Sequence, residues 1–287
     1  MIQDRRGASG GGLGGMLGRG GGGGLPLPGK LGGGLVGIII TLAVVLLPRL
    51  LGGTSTNSAL STGPGVSPAS PTTGSCRGEL ESIICGATQD VQNFWKREFA
   101  VKGLQYEVTQ TVFFTRSTET GCGTASSQTG PFYCPNDHLV YFDLDFLAQL
   151  QQRFSAQGDL AAAYIVAHEY GHHVQNLLGI NAKVQQAQQQ DPGSANKVSV
   201  ALELQADCLA GVWANDARSR NQFENDAEIN EALNAAAAVG DDRIERKTQG
   251  RVDPETFTHG TSAQRMSWFR KGFTTGDRDQ CNTFAEL

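Results

Sequence analysis

A nearly uncharged segment at residues 31–51 divides the chain into parts with different capacities to fold. Leucine, isoleucine, valine, alanine and glycine make up most of it, and Arg49 is its only charged residue. A helix needs about 20 predominantly apolar residues to cross a bilayer, so the segment predicts one transmembrane helix. Two other interpretations stay open: a cleaved signal peptide, for which residues 38–47 are short enough, and a helix buried in a soluble domain.

Glycine and small polar residues dominate the sequence on both sides of this segment. The density of glycine before it costs too much backbone entropy to hold a fixed fold, so residues 1–30 are predicted to be a disordered cytoplasmic tail. Residues 52–75 are mainly Ser, Thr, Gly and Pro, which is typical of a flexible linker. Residues 76–287 remain for a packed region, and one domain is the simplest count for that length.

Charges beside the apolar segment predict its orientation. Arg5, Arg6, Arg19 and Lys30 precede it and face a single acid, Asp4. Because cytoplasmic flanks carry the excess of Lys and Arg, the N-terminus is predicted to be cytoplasmic. The large domain is then predicted to be extracytoplasmic.

The cysteine distribution agrees with that orientation. All six cysteines follow the apolar segment, and an even number in an oxidising compartment favours disulfides. Many pairings are possible, and proximity in the sequence favours Cys76 with Cys85, Cys122 with Cys134, and Cys208 with Cys281. A zinc–cysteine site is the alternative, but no Cys-x-x-Cys spacing occurs.

The region beyond the apolar segment is mildly acidic. Residues 53–287 hold 18 of the 23 basic residues and 27 of the 28 acidic ones. An acidic surface argues against nucleic acid as a partner. The sequence leaves the oligomeric state open.

Residue patterns beyond the linker predict a mainly helical α+β domain. Residues 105–115 and 138–143 are rich in valine, phenylalanine, tyrosine or threonine, which predicts two strands of a small antiparallel sheet. Helical spacing of apolar residues predicts a first helix at residues 88–98. Further helices are predicted at residues 144–154, 159–178, 195–217, 226–239 and 262–272.

The run His168-Glu169-Tyr170-Gly171-His172 predicts a metal site. Histidines four apart in a helix project from one face about one turn apart, so both imidazoles can meet one ion. Neutral imidazole suits zinc, and tetrahedral geometry can leave a position for water. Glu169 is placed to act as general base towards that water. A helix with surface histidines is the alternative.

Two carboxylates in a later helix extend the site. Glu203 and Asp207 lie four apart in an otherwise apolar run, where unpaired charge would be costly. Glu203 is therefore predicted as the third zinc ligand. Asp207 is predicted to accept the second ring N–H of a metal-bound histidine and so fix its tautomer. A solvated helix face is the alternative.

A catalytic site of this kind also needs a group that stabilises the oxyanion. The candidates are His259, close before the last predicted helix, together with Tyr170 and Tyr141. His173 lies off the face shared by the other two histidines and is predicted to pack or to support the site indirectly.

Four separated blocks carry a resemblance to a known family: AHEYGHHVQ at residues 167–175, ELQADCLAG at 203–211, GPFYCP at 130–135 and HGTSAQR at 259–265. In these blocks the sequence resembles the bacterial neutral zinc metallopeptidases, a family similar to the gluzincins. The resemblance covers nearly all of the chain from residue 76 to residue 284.

The resemblance implies a zincin-like metallopeptidase domain in which a small sheet lies beside the active-site helix. It implies Zn²⁺ as cofactor, a peptide or protein as substrate, and a single-pass protein of the bacterial cytoplasmic (inner) membrane. By analogy with metallopeptidases, residues 138–143 are predicted to be an edge strand that holds extended substrate. Two departures from thermolysin-like enzymes are the separation of about thirty residues between His172 and Glu203, and the lack of a matching oxyanion-histidine block.

Two other functions stay open at this point. One is a zinc-stabilised binding module at the cell surface whose hydrolytic residues are idle. The other is an anchored structural protein without a metal, which the carboxylates in an apolar helix argue against.

Overall fold

The computed structural model describes residues 1–6, 72–73, 76–127, 129–148, 158–223 and 226–286. The predicted transmembrane helix at residues 31–51 lies outside these ranges, as do most of the predicted tail and linker. Among the described residues, no helix is both long enough and apolar enough to cross a bilayer.

Helices dominate the described domain, which has the mainly helical α+β character that the sequence predicts. Their bounds are α1 Glu79–Val101, α2 Asp159–Leu177, α3 Ile180–Gln190, α4 Ala195–Ser219, α5 Asp226–Ala238, α6 Asp241–Gln249 and α7 Ser262–Thr275. Residues 144–148 add a short helix. Single 3-10 turns lie at Pro192–Ser194, Pro254–Thr256, Arg278–Gln280 and Thr283–Glu286.

The described strands form one mixed sheet and one hairpin. The sheet has the order β2-β1-β3-β7-β6, with bounds β1 Ile2–Asp4, β2 Thr72–Thr73, β3 Thr111–Phe114, β6 Phe132–Cys134 and β7 Leu139–Asp143. The hairpin is β4 Ser117–Thr120 with β5 Gly123–Ser126. β3 pairs in parallel with β1 and β7, whereas β6 and β2 pair antiparallel to their neighbours. The prediction of an antiparallel sheet is therefore wrong in its strand directions, because a connection through the β4–β5 hairpin returns the chain parallel to β3.

The strand that was predicted to bind substrate at an edge is an interior strand. β7 pairs with β3 on one side and with β6 on the other. Its main-chain groups are thus used on both sides, and an extended peptide cannot add to it. The edge-strand prediction for residues 138–143 is wrong for this reason.

The first residues of the chain belong to the fold. β1 pairs with β3 over its whole length, and the Arg5 amide donates to the Phe113 carbonyl at 2.8 Å. The prediction of a disordered tail over residues 1–30 is therefore wrong at its beginning. Residues 1–6 contain no glycine, unlike the glycine-rich stretch that starts at Gly7. The average composition of residues 1–30 therefore does not describe these six residues.

Helices α4 and α7 cross at short range because glycine lies on both. A methyl group at Gly211 would stand 2.1 Å from a carbonyl oxygen of α7, and one at Gly272 would stand 2.0 Å from the carbonyl oxygen of Cys208. Such distances exclude any side chain at either position. The crossing brings Arg265, two turns before Gly272, against the middle of α4.

The three disulfides confirm the pairing that proximity favours. Bonds join Cys76 to Cys85, Cys122 to Cys134 and Cys208 to Cys281. The second attaches the β4–β5 hairpin to β6. The third attaches α4 to the C-terminal segment and begins one residue after Asp207.

Candidate metal centre

Three buried side chains from two helices converge at one point. His168 and His172 extend from α2 and Glu203 from α4, and all three are buried. The His168 Nε2 atom lies 3.2 Å from Glu203 Oε2 and 3.2 Å from His172 Nε2, which is 3.6 Å from Glu203 Oε1. The three ligands predicted from the sequence are thus brought together.

Their spacing fits one tetrahedral zinc ion. Zinc binds nitrogen and oxygen ligands at about 2.0–2.1 Å, so two ligand atoms at tetrahedral positions stand about 3.3 Å apart. The observed separations of 3.2, 3.2 and 3.6 Å bracket that value. Two imidazoles and one carboxylate are also the donor set of catalytic zinc sites that keep a fourth position for water.

A glycine inside the histidine motif allows the two helices to approach. A methyl group at Gly171 would lie 3.1 Å from the Ala206 carbonyl oxygen, which is tighter than ordinary van der Waals contact. Ala206 lies between Glu203 and Asp207 in α4. The close contact at Gly171 therefore brings these two carboxylates within reach of the histidines of α2.

Hydrogen bonds at the Nδ1 atoms orient both histidine ligands. His168 Nδ1 lies 2.8 Å from Asp207 Oδ1, and His172 Nδ1 lies 2.7 Å from Gln175 Oε1. Each oxygen accepts the Nδ1–H, which leaves the Nε2 lone pair of each ring for a metal. The role predicted for Asp207 matches this contact.

Asp207 is itself held by a buried arginine and a tyrosine. Arg265 donates from Nε to Asp207 Oδ2 at 2.7 Å and from Nη2 to Oδ1 at 2.9 Å, and Tyr164 Oη donates to Oδ1 at 2.5 Å. Burial would raise the pKa of Asp207, but the charges of Arg265 and His168 lower it below its ordinary value. Asp207 is therefore an anion whose position three groups determine.

The electrostatics of the centre favour a cation. Burial would lower the pKa of His168, but the carboxylates of Asp207 and Glu203 raise it to about 9. Burial would raise the pKa of Glu203, yet the imidazoles of His172 and His168 lower it well below its ordinary value. Glu203 therefore supplies a negative charge at the point where the ligand atoms meet, whereas the charge of Asp207 is balanced by Arg265.

Glu169 adds a carboxylate that has no protein partner at one oxygen. The side chain is 1% exposed, and its Oε2 atom has no hydrogen-bond partner among the described residues. Burial raises the pKa of Glu169, while the neighbouring His168 and His172 oppose the shift. An orphan oxygen beside the ligands fits a group that acts on water or substrate at the metal.

His259 lies in a loop where one carboxylate fixes both its ring and its backbone. His259 Nδ1 lies 3.0 Å from Asp241 Oδ1. Asp241 Oδ2 accepts the backbone N–H groups of Thr258, His259 and Gly260 at 2.8, 2.7 and 3.0 Å. His259 is also close enough to the centre for its charge to contribute to the lowered pKa of Glu203.

The other candidates from the sequence point elsewhere. The Tyr170 hydroxyl contacts Thr111 Oγ1 at 2.9 Å, and the Tyr141 hydroxyl donates to Asp137 at 2.6 Å. His173 donates from Nε2 to the Glu107 carbonyl at 2.7 Å and packs towards the sheet. His259 is therefore the candidate for oxyanion stabilisation that the structure favours.

Sequence reasoning missed three residues of the centre and gave no role to a fourth. Gln175 follows His172 by three positions and so shares its helical face, which was a usable signal. Asp241 and Tyr164 carry no local signal, because their partners lie 18 and 43 residues away. Arg265 belongs to a block that carried the family resemblance, but its contact with Asp207 depends on the α4–α7 crossing.

The fold and the site define the class: an α+β protein with a His-His-Glu centre shared by two packed helices. Comparison of sequences gives the family. The profile of the family described as "Putative neutral zinc metallopeptidase" matches residues 1–284, and the chain belongs to that family.

Relatives extend across bacteria. The uncharacterized protein YpfJ of Escherichia coli (strain K12) is 44% identical over 291 aligned residues, which cover 99% of this chain and 96% of the relative. The uncharacterized protein Rv2575 of Mycobacterium tuberculosis (strain ATCC 25618 / H37Rv) is 52% identical over 182 residues, which cover 60% of this chain and 61% of the relative. No solved structure matches the chain.

Proposed function

We propose that this protein is a zinc-dependent peptidase in which Glu169 acts as general base. The observation that carries the proposal is the buried Oε2 atom of Glu169, which is unpaired among the described residues. The charges of His168, His172 and Glu203, whose ligand atoms converge, act on this carboxylate. A buried polar group without a partner costs about 1–3 kcal/mol, more if charged. A side chain that only supported the fold would gain nothing from that cost, whereas a base must keep an oxygen free to accept a proton.

The residues of the centre have separate roles in the proposed hydrolysis. Zinc held by His168, His172 and Glu203 would polarise the carbonyl of a bound peptide and lower the pKa of nearby water. Glu169 accepts the proton of the attacking water and then delivers it to the leaving amine. Burial raises the pKa of Glu169, which moves it towards neutral pH and suits a group that must both take and give a proton.

His259 is the group we assign to the oxyanion. Asp241 occupies its Nδ1 side, so Nε2 is the nitrogen left to meet a substrate. When protonated, that nitrogen donates a hydrogen bond to the negative charge that develops on the attacked carbonyl oxygen. Asp241 supports this role as a positioning residue, because it fixes the ring and the turn that carries it.

A cavity lined by chain neighbours of Glu203 and His259 is the candidate for peptide binding, and the lining includes none of the predicted ligands, Glu169 or His259. It has a volume of about 470 Å³, and its apolar wall includes Val200, Leu204 and Phe257. Leu204 directly follows the ligand Glu203, and the lining residue Gly260 directly follows His259. An apolar side chain of a bound peptide would fit this cavity.

The predicted fold type and location form part of the proposal. A helix with two histidine ligands, a second helix with a glutamate ligand and a sheet that packs on the first helix support a zincin-like arrangement. Three disulfides favour an oxidising compartment, so we place the domain outside the bacterial cytoplasmic membrane, to which the N-terminal segment would attach it.

The test compares Glu169→Gln with the wild type. We expect the variant to retain about one zinc per chain, measured by elemental analysis, and to lose cleavage of an unstructured protein. Glu245→Gln is the matched control, since Glu245 is a buried carboxylate that accepts hydrogen bonds from the Asp253 amide and the Thr256 hydroxyl. Equal cleavage by the wild type and Glu169→Gln would exclude Glu169 as the base.

The same experiment tests the second candidate function. Stoichiometric zinc in a wild type that cleaves no member of a broad peptide library, and that unfolds on chelation, would favour a zinc-stabilised binding module. One observation favours that candidate. Asp207 contacts His168 and also pairs with the buried Arg265 of α7, so a bound metal would stabilise the packing of the helices.

A further inference from the structure

The β1 strand carries an inference about which side of a membrane the N-terminus occupies. β1 lies between β3 and β2 in the sheet, with hydrogen-bonded neighbours on both sides. The amide of Thr111 donates to the Met1 carbonyl at 3.2 Å, and the amide of Arg5 donates to the Phe113 carbonyl at 2.8 Å. The pairing therefore runs from the first residue to the fifth.

Side chains strengthen this attachment. Ile2 packs against the main hydrophobic core of the domain. The Gln3 side chain donates to Gln110 Oε1 at 2.5 Å, and Arg5 Nη1 donates to the Glu119 carbonyl at 3.0 Å. Main-chain pairing, apolar burial and side-chain hydrogen bonds thus agree on one position.

Two of the four cations that argued for a cytoplasmic N-terminus, Arg5 and Arg6, have partners in the domain. Arg6 forms ion pairs with Asp4 and with Glu81 of α1. The Arg5 guanidinium lies 5.6 Å from the ring centre of Tyr141. A Lys or Arg residue that is paired within a domain is not free to orient a flanking segment, so Arg5 and Arg6 no longer support that orientation.

We infer that residues 1–6 and the metal-binding domain lie in the same compartment, because β1 is a structural strand of that domain. A chain that crossed a membrane once between Arg6 and Thr72 would place β1 and β3 on opposite sides, and they could not pair. The inference replaces the predicted single crossing with a cytoplasmic N-terminus. It does not depend on peptidase activity.

A pair of introduced cysteines tests the position of β1 in the full-length chain expressed in bacterial cells. Gln3 and Thr73 are direct partners in an antiparallel pair, where Cα atoms stand about 4.5–5.5 Å apart and a disulfide can form. We expect the pair Gln3→Cys with Thr73→Cys to form about tenfold more cross-link than a control pair. The control pair is Gln3→Cys with Ser219→Cys, because Ser219 lies at the end of α4 and is not a partner of Gln3 in the sheet. Peptide mapping by mass spectrometry identifies the bond.

Sidedness is tested with single cysteines and a membrane-impermeant maleimide. We expect Gln3→Cys and Ser219→Cys to react from the same side, judged by the ratio of labelling in intact and permeabilised cells. Reaction of Ser219→Cys in intact cells, with Gln3→Cys reacting only after permeabilisation, would overturn the inference. If the sheet shields position 3 on both sides, the cross-link decides, and its absence overturns the inference equally.

Discussion

The structure contains two histidine–carboxylate pairs that share one geometry and differ in their surroundings. His168 meets Asp207 at 2.8 Å, and His259 meets Asp241 at 3.0 Å, in each case through Nδ1. Both pairs therefore leave Nε2 as the reactive nitrogen. In the first pair the partners lie on two packed helices, α2 and α4. In the second the histidine lies in a loop and the carboxylate begins α6.

The difference lies in what else each carboxylate holds. Asp207 balances the buried charge of Arg265, so it is tied to the stability of the helical core. Asp241 accepts three consecutive backbone N–H groups of the loop that contains His259, so it shapes that loop. One arrangement fixes His168, the proposed metal ligand, and the other fixes His259, which we propose for the oxyanion.

The largest effect is expected for Asp207→Asn. The substitution removes the nearer of the two buried carboxylates that pair with the Arg265 guanidinium, since Asp207 lies at 2.7 Å and Glu203 at 4.0 Å. Breaking a buried pair in this way costs about 3–5 kcal/mol. Loss of the carboxylate that orients a ligand histidine lowers metal affinity by about 10–100-fold. Urea unfolding and a zinc competition assay measure the two effects.

The matched variant Asp241→Asn tests whether only the His168–Asp207 pair affects zinc binding. Asp241→Asn should bind zinc as the wild type does, since Asp241 contacts no predicted ligand. Equal loss of zinc affinity in Asp207→Asn and Asp241→Asn would break the distinction between the pairs.

The second effect concerns His259→Gln. We expect kcat/KM to fall by about 10²–10³, the usual cost of removing one oxyanion donor, with zinc content and Tm close to those of the wild type. The reason is that His259, in the proposed role, contacts substrate and is not one of the three proposed ligands. A drop in zinc content would instead make His259 a ligand and would erase its difference from His168.

The smallest effect is a pH-dependent loss of stability in Asp241→Asn. Burial would raise the pKa of Asp241, but His259 and the backbone N–H groups lower it below its ordinary value. A carboxylate with a lowered folded-state pKa stabilises the fold above the unfolded-state pKa of about 3.9. The contribution is lost as the pH falls through the folded-state pKa.

The free energies of unfolding should therefore differ by about 1–3 kcal/mol near neutral pH and converge as the pH falls below about 4. Unfolding in urea at several pH values measures the difference. A gap that widened towards low pH would contradict the assignment of Asp241 as an anion in the folded state.

Local sequence patterns were sufficient to predict which side chains form the His-His-Glu cluster. His168 and His172 share a helical face because they lie four residues apart, and Glu203 and Asp207 repeat that spacing in an apolar helix. Periodicity encodes such pairs directly. The Asp241–His259 pair spans 18 residues and a turn, so its geometry depends on where α6 ends and how the loop returns.

The sheet was harder to predict for a different reason. The length and type of the long helices followed from apolar spacing, but α3 and α6 have few buried residues and gave little periodic signal. The parallel pairing of β3 with β7 depends on the connection between them, and the position of β1 depends on bringing the first residues of the chain to β3. No local pattern in residues 1–6 reveals a partner more than a hundred residues away.

The glycine contact between α4 and α7 has a consequence for how the molecule opens. Gly211 and Gly272 let the two backbones touch, and Arg265 on α7 holds the carboxylate that orients His168. Separation of these helices would thus break core packing and disorganise the metal site in one event. In native-state hydrogen exchange, the amides near Gly211 and Gly272 should belong to one cooperative unit, and bound zinc should slow the exchange of both helices together.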